Sequence, residues 1–300
     1  MILFDKNNNG AQELNELTGY YYASNQFANI KGEIDFAIRE VASLVGADVV
    51  KSASEAYQNG ESNELVPHIQ RAVACLAICR YMAQTVVSHE DTGRKVKVDE
   101  GDKLPFEWML DRDDRALREK YYRSLDALFG YLEESDIEEW KSSRHRELLD
   151  ESIVKSIFDF ERVYPIDSSY YTFFMLLPLI VEVQNTILKP KVGDGWEQLV
   201  AQNSAVALRV VILNAVCIAA TRWSVEVFPL SVARRFSPTY QGNKASTSAT
   251  KVEMEHYISS LRSQADDALN ILLSELSGEN RFEDYPLLPN NNKNKKYFTA

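Results

Sequence analysis

The chain has 300 residues, 45% of them hydrophobic and 26% charged, which is ordinary globular composition and enough for two modules of usual size. With 44 acidic against 33 basic residues the net charge is −11, so a general nucleic-acid binder, which needs clustered Lys and Arg, is not the expectation. Three cysteines, Cys75, Cys79 and Cys217, all lie in apolar helical runs, so they read as small buried hydrophobes of a reducing compartment rather than as a disulfide framework.

In chain order, residues 1–30 read as an N-terminal arm, with a short apolar start (Ile2, Leu3, Phe4), an Asn-Gly break and Tyr20-Tyr21-Tyr22; the polar beginning is not a secretory signal. From Lys31 the apolar residues Ile34, Ala37, Ile38, Val41 and Leu44-Val45 recur at helical spacing, and Gly46 ends the helix. A second helix is predicted over Asp48 to Tyr57. A third starts near Asn63, a capping residue, and runs through Arg80 and Tyr81 to Thr85. Residues 89–111 lack helical period, and the alternation of charge with Val over Arg94 to Val98 predicts a short hairpin or an extended loop. A charged amphipathic helix follows from Arg112 to Glu134.

Residues 135–168 predict one or two further helices ending at Tyr164-Pro165. The pattern then restarts with an apolar helix over Tyr171 to Leu188, a turn at Gly193 and Gly195, and a short helix from Trp196 to Gln202. The most apolar helix is predicted over Ala205 to Phe228, and a last amphipathic helix over about Lys251 to Leu276. The apolar runs Phe173 to Val183 and Ala205 to Ala220 fall short of about 20 uninterrupted apolar residues, so core helices are expected and no membrane contact. Residues 278–300 read as an extended tail.

The two halves match each other. Val45-Gly46 falls on Val192-Gly193, Cys75 on Cys217, Arg80 on Arg222, and Asp126-Ala127-Leu128 on Asp267-Ala268-Leu269. The offsets are 147 at the glycines, 142 at the arginines and 141 at the Asp-Ala-Leu triplets. The fold expected is therefore all-α, with two tandem diverged helical-bundle modules at 31–134 and 169–277. These are joined by a helical connector at 135–168 and flanked by the arm and the tail. Gly46, Gly193, Arg80, Arg222, Asp126 and Asp267 are the anchors of the repeat. The two arginines, late in apolar helices, are expected to pair with carboxylates.

Chemical signatures are absent from the sequence. There is no phosphate-binding glycine loop, no H-E-x-x-H and no G-x-S-x-G elbow. His68, His89, His145 and His256 are scattered; His89-Glu90-Asp91 has no third ligand at suitable spacing, and Asp111 to Asp114 lacks the glycine and final glutamate of a calcium loop. No catalytic residue, cofactor or metal is expected, and the chain reads as a non-enzyme.

The helix end Leu44-Val45-Gly46, the Tyr57 helix end, Arg80-Tyr81 and the run Asp126-Ala127-Leu128-Phe129-Gly130-Tyr131-Leu132 resemble an uncharacterised family of tailed phages and mobile elements of Bacteroidetes-type bacteria. Glu138-Glu139-Trp140-Lys141-Ser142, Leu177-Pro178-Leu179-Ile180-Val181-Glu182-Val183, Pro190 and Gly193 carry the same resemblance, over roughly residues 1–275. Each half also resembles, more weakly, the small helical head–tail connector (adaptor) proteins of tailed phages. That resemblance implies a virion structural protein of the neck, assembled in the host cytoplasm. It would be a homo-oligomeric ring between portal and tail proteins, with DNA passing through its lumen without specific binding.

By the same resemblance the loops at 89–111 and 234–250 and the tail would be subunit contacts, with Arg94, Lys95, Lys97, Phe106 and Trp108 in the first and Lys293, Lys295, Lys296, Tyr297 and Phe298 in the tail. A tail, baseplate or other capsid-associated ring component, and a non-virion helical module that binds a partner in a groove, are the competing readings.

Overall fold

A computed structural model describes residues 1–21, 25–85, 87–90, 93–95, 105–202, 204–222 and 250–277, with the backbone alone for 88–90 and 93–95. The fold is all-α apart from one short hairpin, and it is organised as two helical modules in tandem.

The first module begins with an N-terminal stretch that packs on the body. Leu3, Phe4 and Leu14 are buried, and helix α1 (Gly10–Thr18) packs on α4 (Leu65–Thr85). The arm expected as largely extended thus contains a helix, because the Asn-Gly break serves as the turn into it: the Asp5 carboxylate accepts from Gly10 N at 2.9 Å. Ser54 fixes the first strand of backbone by accepting from Ile2 N and donating to Ile2 O, and Gln70 donates to Leu3 O at 2.6 Å.

Helices α2 (Lys31–Val45) and α3 (Ala47–Asn59) meet at Gly46, whose φ of 103° is a conformation that residues with a Cβ rarely adopt. Asn63 accepts from Leu65 N at 2.8 Å, capping α4 as its position in the sequence predicts. After α4 the chain forms a hairpin, β1 (Ser88–Glu90) against β2 (Gly93–Lys95), with His89 opposite Arg94. The hairpin lies a few residues before its expected place. The long helix α5 runs over Glu107–Glu134 and packs antiparallel on α4. It starts five residues earlier than the sequence pattern suggests, because Glu107 to Asp111 favours helix by propensity while burying almost nothing, which leaves no apolar period to read.

The connector holds three short helices, α6 (Glu138–Lys141), α7 (Arg144–Glu151) and α8 (Ile157–Glu161). Ser143 and Ser156 cap the last two by accepting from Arg146 N and Asp159 N. The second module repeats the order of the first. It comprises α9 (Tyr170–Val183), a π turn over Gln184–Leu188, α10 (Lys189–Val192), a turn at Gly193–Gly195, α11 (Trp196–Ala201), α12 (Ala205–Arg222) and α13 (Lys251–Ser277). Thr250 and Glu253 form a reciprocal capping box that starts α13. Helix α12 is apolar nearly all round and packs on α8, α9 and α13, as α4 packs on α2, α3 and α5.

The apolar run of the second module is longer than its apolar centre suggests. The helical path from Tyr170 to Ala201 and helix α12 have the length and apolar character of membrane spans, with mean hydropathies of 1.4 and 1.8 over 18 residues. Within the fold 61% and 56% of those windows are buried. The protein's own core thus covers a little more than half of each window.

Where the modules meet, Phe129 of α5, Trp140 of α6, His145 of α7 and Phe174 of α9 form one aromatic cluster, with ring centroids 5.0–6.3 Å apart. Trp140 is 1% exposed and donates from Nε1 to Glu133, which Arg146 also engages. Helix α5 also packs directly on α9. Replacing Trp140 with alanine is expected to cost about 3–5 kcal/mol in denaturant unfolding. It should lower the stability of both modules together, because the ring is core to each.

Candidate functional site

The repeat anchors show what the duplicated residues do. Arg80 pairs with Glu40 and Arg222 pairs with Glu182 through two bonds of 2.7 and 2.8 Å. Both partners are 40 residues before their arginine, so Glu40 and Glu182 are themselves a repeat pair, which extends the register of 142 into α2 and α9. Each pair clasps the last turn of the central helix to the first long helix of its module. The bond to Arg222 holds the Glu182 carboxyl below the usual range. Gly46 and Gly193 share a positive φ, 103° and 57°, at the ends of corresponding helices.

The third anchor is not equivalent in space. Asp126 is largely buried and accepts from Ser169 Oγ and Tyr171 N, both at 2.9 Å, so it caps α9 of the other module. Burial pushes the Asp126 carboxyl up despite these two bonds. Asp267 is exposed. The long helices also sit differently: Cys75 Sγ faces Ser124 Oγ, whereas Cys217 Sγ faces Ile258 O. At an offset of 141, buried Tyr121 and Phe129 would fall on exposed Arg262 and Asn270, so the register of the Asp-Ala-Leu triplets does not carry the buried face of α5 onto that of α13. Replacing Asp126 with alanine is expected to cost about 1–2 kcal/mol by removing a cap across the module boundary. The same change at Asp267 should stay within about 0.5 kcal/mol, both read by chemical denaturation.

A cleft of about 290 Å³ lies at the same boundary, lined by Ser43, Leu44 and Gly46 of the first module, Ser143 to His145 of the connector, and Phe174, Met175 and Pro178 of the second. His145 donates to the Leu44 carbonyl, and its buried Nδ1 has no partner among the described residues. Pro178, inside α9, cannot donate to the Phe174 carbonyl, which frees one acceptor beside the cleft. Gln184, fully buried in the π turn, accepts from Ile153 N at 2.6 Å and donates to Glu151 O at 3.0 Å, binding the connector to the second module. In the sequence His145 stands only among scattered histidines and Trp140 only within a family resemblance, while Gln184 carries one signal, a lone amide closing an apolar run.

Burial pushes the His145 imidazole below its ordinary value, and His68, stacked on Tyr131, is lowered by the same cause. A histidine whose folded value is depressed stabilises the fold fully above about pH 6.5, and that contribution is lost as pH falls below 6.5 through the folded value. Unfolding midpoints are expected to fall from pH 7 to pH 5. His145→Gln, which keeps a donor for Leu44, should flatten that fall.

The subunit-contact residues expected from the resemblance are only partly placed. Phe106 caps α5, and Trp108 stands in its first turn, 66% and 43% exposed, with exposed Met109 beside them. Trp108 and Met109 thus belong to the helix, and Phe106 stands at its N-terminal boundary. Arg94 and Lys95 lie on β2. Lys97, the 234–250 loop apart from Thr250, and Lys293, Lys295, Lys296, Tyr297 and Phe298 lie outside the described residues. Among the described residues no group of three or more His, Cys, Asp or Glu side chains is arranged to hold a metal. Cys75 and Cys217 are buried and Cys79 half-buried, all as free thiols.

The fold and its repeated clasps define a tandem-repeat all-α protein. Two stretches, residues 46–147 and 200–297, match the model of a family of unknown function, DUF6712. Together they take in two thirds of the chain, and the protein belongs to that family. No curated protein and no solved structure matches.

Proposed function

We propose that this protein is a structural subunit of a tailed-phage virion, a head–tail connector that assembles as a ring in the neck and works through protein–protein contacts. The observation that carries the reading is the kind of residue the duplication keeps. The Arg80–Glu40 and Arg222–Glu182 clasps and the helix-ending Gly46 and Gly193 all position helices. A duplicated scaffold suits a protein whose task is to hold neighbours. The resemblance of each half to head–tail adaptors supplies the location, and exposed aromatic groups on the outside, Phe36, Phe106, Trp108 and Phe158, supply surface for partners. An acidic body suits a lumen through which DNA slides without adhering.

Native mass measurement and electron microscopy of the purified protein are expected to show a closed oligomer of defined copy number. A stable monomer at all concentrations would refute the ring and favour the non-virion partner-binding module.

A further inference from the structure

Of the four rings in the aromatic joint only His145 can change its charge near neutral pH. Its ring stands among Phe129, Trp140 and Phe174, with centroids 6.0, 6.3 and 5.4 Å away. It donates to the Leu44 carbonyl, and Nδ1 is buried with no partner among the described residues. A second proton, arriving at Nδ1, would make a buried donor without an acceptor and place a cation in a largely apolar cluster.

The elements packed on the ring spend their carboxylates elsewhere. Glu133 of α5 is engaged by Trp140 Nε1 and by Arg146 of α7. Glu138 of α6 pairs with Lys141, Glu40 of α2 with Arg80, and Glu182 of α9 with Arg222. Glu134, Glu139 and Glu147 make no bond to Nδ1, and Tyr170 of α9 is a neutral phenol. The charged group that acts on the ring is Arg144, a like charge on its own helix.

The ring also has a way out. It is half-buried and lies on the wall of the boundary cleft of about 290 Å³. The joint persists without it, because Phe129, Trp140 and Phe174 meet one another at 5.0–5.8 Å. What His145 holds is the seam between the first module and the connector. Its bond to Leu44 ties the α2–α3 corner to the start of α7, beside Gly46, where a Cβ would stand 3.9 Å from that of Ser143.

We propose that His145 is an acid-released latch on this seam. On gaining a proton its ring turns out of the cluster into the cleft, the bond to Leu44 is lost, and the α2–α3 corner parts from the start of α7. The release is local. Asp126 still caps α9, and Gln184 still holds the connector to the second module, through bonds that no histidine enters.

Acid favours opening because the released ring binds its proton at the ordinary value of about 6.5, whereas burial makes the enclosed ring bind it only at lower pH. Above about pH 6.5 the open fraction is constant, and between the two values it grows about tenfold for each pH unit lost.

Hydrogen exchange of the full-length protein at about pH 7.5 and about pH 5.5, with labelling times scaled for the intrinsic rate, tests the latch. Amides of residues 44–50 and 143–149 are expected to lose about tenfold in protection at the lower pH. Exchange from α12 and helix content by circular dichroism should not change. His145→Gln, which keeps a donor and cannot be charged, should show equal protection at both values, whereas His68→Gln should behave as the parent. Arg144→Gln, at an exposed position, removes the like charge and should shrink the loss.

If glutamine leaves the seam open already at neutral pH, His145→Phe keeps the ring without a titrating group, and the dependence on pH must still vanish. Equal protection of the parent at both values, or the same loss in the variants that cannot be charged, overturns the latch. So does a loss that spreads through α12 and α13 together with helix content, which is global unfolding.

Discussion

The fold depends on the aromatic joint where Trp140, Phe129 and His145 meet Phe174. Aromatic side chains bury large areas and dominate the energetics of any core they enter. Here they come from two modules and from the segment between them, so neither module has a complete core alone. The polar bonds around the joint serve the same end. Asp126 caps a helix of the other module, and Gln184 holds the backbone of the connector on both sides of one turn. The connector is therefore core rather than linker.

Much of this architecture is legible in the sequence, because helical period and helix-ending glycines are local signals. The order of helices in each module, the Asn63 cap, the matched arginines and the break at Gly193 all follow from residues read in place. The repeat is legible for the same reason: Arg80 and Arg222 stand in nearly identical apolar settings. Their glutamates, 40 residues upstream, escape notice because acidic residues on amphipathic helices are common and only the fold pairs them.

What is not legible is long-range. The matched Asp-Ala-Leu triplets align two helices whose buried faces do not coincide, and only the packing of α5 on α4 and of α13 on α12 separates them. The early start of α5 is hidden because its first turns contact little, and the helix in the N-terminal stretch because its capping carboxylate, Asp5, acts across an Asn-rich turn. The cleft is assembled from α2, α7 and α9, three elements far apart in the chain, and His145 looks like any surface histidine in a charged helix until Phe174 and Trp140 enclose it. Sequence reading finds what is duplicated; the unduplicated parts acquire their roles only through packing.

The buried connector has a consequence for the ancestry of the chain. A single-module forerunner would have carried both the aromatic donor and the helix face that receives it, with no second module to satisfy either. Such a protein could bury its Trp140 counterpart only by lending it to another molecule. Duplication and fusion would then have turned a contact between chains into part of one chain's interior, fixing by covalent linkage an orientation that had depended on concentration. The tight wrapping of residues 135–168 around α9 is the trace that such an event would leave.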